Sequence, residues 1–351
     1  MALILGIETS CDECSVAVVE GQSSSEPLRI RTLKTFSQIT IHQPYGGVVP
    51  EIASRSHLET ILPVLEAALS EAGVQPEELD ALAVTNRPGL VGALLVGVTT
   101  AKALAYVWNK PLIDIHHLEG HLASAFLAPD AASRLKLPAV VLIVSGGHTQ
   151  LHVIREIPEK WTRTWLRESC VGRTRDDAAG EAFDKIGKLL GFGYPAGPLL
   201  EKAAEGGNPQ AFRLPRALPQ KAVFDFSFSG LKTSAAQLFR TLEQKGELAT
   251  HRSDFCASVQ AAIVDALATK VELLVEREDA ASVICVGGVA ANQQLRARLD
   301  QLSVPWLAPP LSLCTDNGAM IGAAGLFRWL GGYRLPTEKM LELNAMAYAE
   351  V

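Results

Sequence analysis

The chain of 351 residues reads as a two-lobed α/β protein, and three observations carry that reading. Apolar strands alternate with helix-length segments along the whole sequence. A strand, a small polar turn and a return strand open the chain and recur near its middle, as two duplicated lobes would. Turns of small or polar residues follow apolar strands at 9–15, 144–149 and 287–292, where backbone amides can face a phosphate. One such turn is most often only a turn. Three in strand contexts describe a nucleotide cleft of the sugar-kinase, Hsp70 and actin type.

The elements follow in order. Leu3–Thr9 is an apolar strand, Ser10–Glu13 its turn and Ser15–Val19 the return strand. Ala139–Ser145, the turn Gly146-Gly147-His148 and Gln150–Ile154 repeat the design. Val283–Val286 runs through Gly287 and Gly288 to Asn292 and into a helix. Periodicity predicts helices over Ser56–Ala72, Leu90–Trp108, His117–Leu127, Asp177–Leu190, Phe228–Leu242, Phe255–Glu276, Asn292–Leu302 and Asp316–Leu330. Gly193–Pro198 and Pro209–Pro219 are loop signals. The expected division is 1–110 plus 316–351 as one lobe and 111–315 as the other, with nucleotide and metal in a cleft between them.

Hydrophobic residues make up 48% of the chain, enough for a large core. A formal charge of −6 argues against a free-standing, high-affinity nucleic-acid binder. Arg163, Arg167, Arg173 and Arg175 are the nearest approach to a basic cluster, and a solvated loop face explains them equally well. The opening Met-Ala-Leu-Ile-Leu-Gly-Ile lacks a basic leader region and reads as a first strand. Leu90–Val107 is apolar but holds Thr99, Thr100 and Lys102, so a buried helix is expected and not a membrane span. A cytoplasmic protein is expected. Six cysteines in a chain this long are no disulfide framework, and the Cys11/Cys14 pair has no second CxxC to complete a thiolate site.

His117 and His121, in HHLEGH, stand four residues apart. On a helix they share one face and can grip one metal ion. Taken alone, such a pair is more often two ordinary surface or capped histidines. A zinc protease would carry glutamate directly after the first histidine. Here Glu119 lies two residues from each, about 200° around the helix, and points away from any shared ion. It cannot serve as base on a metal-bound water, so the protease reading fails on geometry.

GIETSCDE, HHLEGH, LIVSGGHTQL, DDAAGEAFDK, GYPAGP, FSFSGLK, GGVAANQQLR and CTDNGAM occur in order from residue 6 to beyond 316. With these motifs the chain closely resembles the universal tRNA threonylcarbamoyladenosine transferase family, the bacterial form of the Kae/Qri group. The resemblance implies an actin-like ATPase superfold. It implies transfer of a threonylcarbamoyl group from threonylcarbamoyl-AMP to the amine of the adenosine 3′ of the anticodon, in tRNAs reading codons that begin with A. It also implies an inactive paralogous partner, a small P-loop ATPase, a separate synthase for the adenylate, and ATP or AMP as occupants of the same cleft. Matched residue by residue, His117, His121 and Asp316 would bind one metal, iron or zinc. Ile143, Val144, Ser145, Gly146 and Gly147 would hold the phosphate and carbamoyl region. Asp184, Gly197 and Glu201 would hold the ribose, and Asn292 would contact the adenine side. Asp316, ahead of a good helix, could also cap it.

Three positions depart from the family pattern. Cys14 replaces a threonine or serine, which could weaken a phosphate-side hydroxyl contact. Ala196 replaces a glycine, tolerable unless positive φ is needed. Arg173 replaces glutamate or glutamine, a change without an interpretation from sequence.

The adenine amine is a poor nucleophile, so the donor must be activated and the developing oxyanion stabilised. The metal and the Ser145–Gly147 amides are expected to stabilise it, and Asp12, or next Glu13, to take the proton. An ATP-dependent kinase of the same superfold would share the turns but would not need two histidines and a distant aspartate. A non-enzymatic scaffold of the inactive-paralogue kind would lack the histidines.

Overall fold

A computed structural model describes residues 1–22, 26–156 and 169–348; Arg163 and Arg167 of the expected basic cluster lie outside them. The strands are β1 (Ala2–Glu8), β2 (Glu13–Gly21), β3 (Arg29–Ser37), β4 (Ala81–Arg87), β5 (Leu112–His116), β6 (Ala139–Val144), β7 (Thr149–Ile154), β8 (Cys170–Arg173), β9 (Ser282–Val286) and β10 (Trp306–Leu307). The main helices are α1 (Pro50–Ala72), α2 (Val91–Val107), α3 (His117–Ser124), α4 (Ala179–Leu189), α5 (Gly197–Ala204), α6 (Ser229–Gln244), α7 (Arg252–Glu278), α8 (Gln293–Leu299) and α9 (Gly318–Leu330).

The strands form two five-stranded sheets, ordered β3-β2-β1-β4-β5 and β10-β9-β6-β7-β8. Read from the other edge, the second sheet repeats the first. In each, a central strand (β1, β6) pairs antiparallel with its hairpin partner and parallel with a later strand (β4, β9). The duplication expected from the hairpins is thus a duplication of sheet topology. Central strands such as Ala81–Arg87 are buried along their whole length, so the apolar start Ala81–Val84 shows no alternation.

Among the described residues, the first compact unit holds Met1–Arg134 and the stretch from Leu307, and the second Leu135–Arg155 and Ser169–Trp306. The segment 111–134, placed from sequence in the second lobe, therefore belongs to the first. The reason is pairing: β5 runs parallel to β4 in the first sheet, and α3 follows it directly. Residues 307–315 also fall in the first unit.

Helix ends follow local chemistry. α1 starts at Pro50, earlier than expected, because proline suits the first helical position, and it stops at Gly73 with φ 62°. The GYPAGP loop runs straight into α5, which was not anticipated. Ala196 there has φ −86°, so alanine is unstrained in that place.

Close backbone approach sets the first unit's geometry. A Cβ on Gly6 would lie 2.3 Å from both the Gly318 carbonyl oxygen and the Gly322 nitrogen, so α9 rests directly on β1. A Cβ on Gly120 would lie 2.6 Å from Ile321 Cδ1, so α3 and α9 also touch closely. Small residues at these positions draw Asp316, just ahead of α9, towards the histidines on α3.

Candidate functional site

The site of the first unit is built at the carboxyl ends of the parallel strands β1, β4 and β5, where α/β sheets place ligands. β5 ends at His116, which is also the N-cap of α3, so His117 opens that helix. The His116 ring accepts the Leu118 amide at 3.2 Å, and Glu119 accepts the His116 amide at 3.3 Å. Both Glu119 oxygens receive Arg328 Nη2, at 2.8 and 2.6 Å, in a fully buried ion pair. Glu119 therefore faces α9, away from the two imidazoles, as helix geometry requires.

His117 and His121 stand edge to face with ring centroids 4.7 Å apart. Asp316 Oδ1 is 3.5 Å from His117 Nε2 and 3.2 Å from His121 Nε2. One ligand atom from each of the three lies within 4.8 Å of the others, and among the described residues this is the one cluster of His, Cys, Asp or Glu so arranged. The helix beyond is capped by Asn317, whose side chain accepts the Met320 amide, so Asp316 is not the cap.

A divalent cation fits these donors. His121 is wholly buried, yet neither ring nitrogen makes a hydrogen bond. A buried imidazole left so is unfavourable, and a cation at Nε2 would satisfy it. His117 is oriented from behind: its Nδ1 lies 3.1 Å from Ser10 Oγ and 3.3 Å from Glu8 Oε2. Glu8 is in turn held by Thr85 Oγ1 at 2.6 Å and the Ser10 amide at 2.5 Å. This carboxylate-histidine arrangement turns Nε2 towards Asp316. Burial opposes charge on His117, but the Asp316 and Glu8 carboxylates outweigh it and raise its pKa to about 9. Burial likewise opposes charge on Glu8, and His117 outweighs it, holding the carboxyl below the usual range. Two histidines and one aspartate leave a position open for substrate.

Asp12 lies in the turn between β1 and β2, and Glu13 opens β2. Asp12 is buried and Glu13 partly so. Burial first, and then the neighbouring Asp12 and Asp316, push the Glu13 carboxyl well above the usual carboxylate range. Cys14 is fully buried in the apolar core and its thiol is pushed up to about 11 by burial. Its side chain packs in that core, where a threonine or serine hydroxyl would stand among apolar neighbours. Cys11 and Cys14 are both free thiols.

In the second unit Ile143 and Val144 are buried strand residues, fixed by pairing with Gln150, Thr149 and Val286. They lead into the turn from within the sheet. The Ser145 amide donates to the His148 carbonyl at 2.8 Å, and Ser145 Oγ accepts the His148 amide at 3.2 Å. Ser145 is thus spent on closing its own turn, against the expectation that its amide serves the substrate. Gly146 and Gly147 are exposed, and a Cβ on either would meet open space.

Asp184 Oδ1 accepts the amides of Ala196 and Gly197, at 2.7 and 3.3 Å, and so caps α5. Glu201, on α5, accepts the Gln293 amide at 2.7 Å, and burial raises its carboxyl. Asn292 caps α8 through the Leu295 amide at 2.9 Å. The expected ribose and adenine residues are therefore strung along one framework of α4, α5 and α8. Arg173 is exposed at the end of β8, and nothing in the structure explains its departure from glutamate. Arg175 is paired with Asp225 at 2.9 Å.

Sequence reasoning missed Glu8, Ser10 and Thr85 behind His117, and Arg328 behind Glu119. The available signal was a polar residue inside an otherwise apolar strand or helix, Glu8 in β1 and Arg328 in α9.

Comparison with known proteins agrees with this geometry. The family profile for TsaD, tRNA N6-adenosine threonylcarbamoyltransferase, matches residues 29–323. A protein of that description from Synechococcus sp. (strain JA-3-3Ab) is 49% identical over 345 residues, covering 96% of this chain and 90% of the relative. One from Moorella thermoacetica is 49% identical over 347 residues, covering 98% and 95%. Component A of the Acidaminococcus fermentans (R)-2-hydroxyglutaryl-CoA dehydratase shares the fold, with a TM-score of 0.53 at 15% identity over 94% of this chain and 99% of that one. The fold is that of the actin-like ATPases.

Proposed function

The chain belongs to the tRNA N6-adenosine threonylcarbamoyltransferase family, and from that premise we propose how its own residues perform the transfer. The protein is an acyltransferase that places a threonylcarbamoyl group on N6 of a tRNA adenosine. The donor is threonylcarbamoyl-AMP and the acceptor the adenosine 3′ of the anticodon in tRNAs reading codons that begin with A. The N6–carbonyl carbon bond forms, the bond from that carbon to the phosphate oxygen breaks with its electron pair leaving on AMP, and one N6 proton goes to a base.

Asp12 is that base. Glu13, whose carboxyl burial, Asp12 and Asp316 push well above the usual range, is the second candidate. His117, His121 and Asp316 would hold one divalent ion, iron or zinc, which when bound supplies a Lewis acid for the carbonyl oxygen. Glu8 and Ser10 keep the His117 ring turned for that task. Gly146 and Gly147 offer their amides to the donor's phosphate with no side chain in the way. Asp184, Gly197 and Glu201 would hold the ribose, and Asn292 would lie on the adenine side. ATP or AMP would occupy the same places.

The observation that carries this reading is the convergence of two helix-borne imidazoles and a distant carboxylate, with His121 otherwise unsatisfied. Partners are part of it. Leu58, Leu62, Val91 and Leu95 are about half exposed or more on α1 and α2, which pack together with Gly92 against Ser54. An apolar face on two packed helices suits a paralogous subunit built on the same helices. A small P-loop ATPase and the adenylate synthase complete the functional set. With a net charge of −6 the isolated chain should bind tRNA weakly.

The test is to mix the protein with threonylcarbamoyl-AMP, tRNA and the partner subunits and to analyse the digested nucleosides by mass. Threonylcarbamoyl-adenosine with stoichiometric AMP is expected. ATP consumption yielding a small phosphorylated product, with tRNA unmodified, would sink the reading in favour of a kinase.

A further inference from the structure

Three buried polar side chains of the first unit, Gln38, His42 and His57, have no part in the chemistry above and are all fully inaccessible. They form a single file of hydrogen bonds. The Val49 amide donates to His42 Nδ1 at 3.3 Å. That nitrogen is therefore bare, and a neutral His42 carries its proton on Nε2, 3.1 Å from Gln38 Oε1. The Gln38 amide group then points Nε2 at His57 Nδ1, at 3.3 Å. His57, with Nδ1 accepting, carries its proton on Nε2, 2.9 Å from the Cys11 carbonyl oxygen. The Gln38 amide nitrogen also lies 3.4 Å from the Ala53 carbonyl oxygen, to which it can donate, and 3.5 Å from His57 Nε2. What the bond to the Cys11 carbonyl requires is a proton on His57 Nε2. Burial, the largest influence on both rings, lowers their pKa values.

The file ends on the turn that carries Asp12 and Glu13. Besides the bond from His57 to the Cys11 carbonyl, the Gln38 backbone amide donates to the Asp12 carbonyl at 3.0 Å. Two successive carbonyls of the turn, those of Cys11 and Asp12, are thus each held by a bond from another element. A tight turn bearing a base has few internal bonds to fix it, and an acid misplaced by an ångström loses much of its effect.

We propose that His57 is a positioning residue for the transfer: its bond to the Cys11 carbonyl sets where the Asp12 carboxylate stands. The proposal rests on the reading of Asp12 as base.

The test compares His57→Leu and His57→Gln, with Asp12→Ala as reference, in single-turnover transfer from saturating threonylcarbamoyl-AMP to tRNA with partner subunits present. Metal content, tRNA affinity and thermal midpoint are measured on the same samples. His57→Leu should slow transfer on the order of tenfold to a hundredfold at unchanged metal content and tRNA affinity. His57→Gln should recover most of the rate, because the glutamine amide nitrogen can reach the place of the histidine Nε2. A full rate in His57→Leu with a slow Asp12→Ala overturns the positioning role and leaves the base assignment standing. A normal Asp12→Ala with a slow, glutamine-rescued His57→Leu removes the base assignment and keeps the role in holding the turn. If His57→Gln is as slow as His57→Leu while folded and metal-loaded, the hydrogen bond is not what matters and the proposal fails. Should His57→Leu not fold, ring ¹⁵N shifts of the wild-type protein decide: a protonated His57 Nε2 is expected, and a His57 with bare Nε2 overturns the proposal, because it cannot donate to the Cys11 carbonyl.

Discussion

The turn after β1 and the turn after β6 occupy equivalent places in two sheets of the same topology, yet they are held by opposite means. Ser145 closes its turn with its own amide and hydroxyl, leaving two glycines bare at the tip. The turn from Ser10 to Glu13 is held from outside, by His57 and Gln38 through its carbonyls and by Glu8 through the Ser10 amide. A self-closed turn can present backbone and nothing else, which suits an anion. A turn clamped by its neighbours can afford to carry charged side chains, because the structure around it sets their direction. Duplication supplied one scaffold, and the manner of fixing the turn decided which chemistry each copy could bear.

The comparison can be broken hardest at the metal ligands. His121→Ala should remove the bound ion and lower transfer on the order of a thousandfold, read as metal content and single-turnover rate; the second-unit turn should be untouched, with AMP binding retained. Next, Glu119→Leu takes from buried Arg328 its bidentate carboxylate, leaving Nη1 on the Asp114 carbonyl, and should cost about 3 kcal/mol of stability, read by denaturant unfolding. Glu8→Gln keeps the fold but should weaken metal affinity about 10- to 100-fold by loosening His117, measured by chelator competition. The mildest test sharpens the second turn. Gly146→Ala meets open space and should change stability by less than about 0.5 kcal/mol while raising the KM for threonylcarbamoyl-AMP. Gly180→Ala drives a Cβ to 2.6 Å from the Ser145 carbonyl oxygen and should destabilise the same turn outright. Equal stability of these two variants would show that the turn is not packed as described.

Much of this was legible in the residues. The hairpins were visible as apolar runs around small polar turns, and the helix pair His117/His121 through its spacing. β4 and β5 were harder, because short, fully buried strands such as Leu112–His116 carry no alternation to separate them from helix. The domain division went astray at 111–134 for that reason. Convergence of Asp316 on the histidines came from family resemblance and could not have come from spacing, since the contact is made by glycine-mediated packing of α9 on β1 and α3. The roles of His57 and Gln38 were invisible: a histidine on a helix shows nothing of the carbonyl it will meet 46 residues away.

That packing has a bearing on how the protein comes to exist. Asp316 leaves the ribosome long after His117 and His121 and reaches them only once Gly318 and Gly322 have settled against Gly6. A chain shortened to end before Asp316 would present two histidines and no third donor. Such a product should hold a divalent ion far more loosely than the longer chain, since two imidazoles alone make a poor cage.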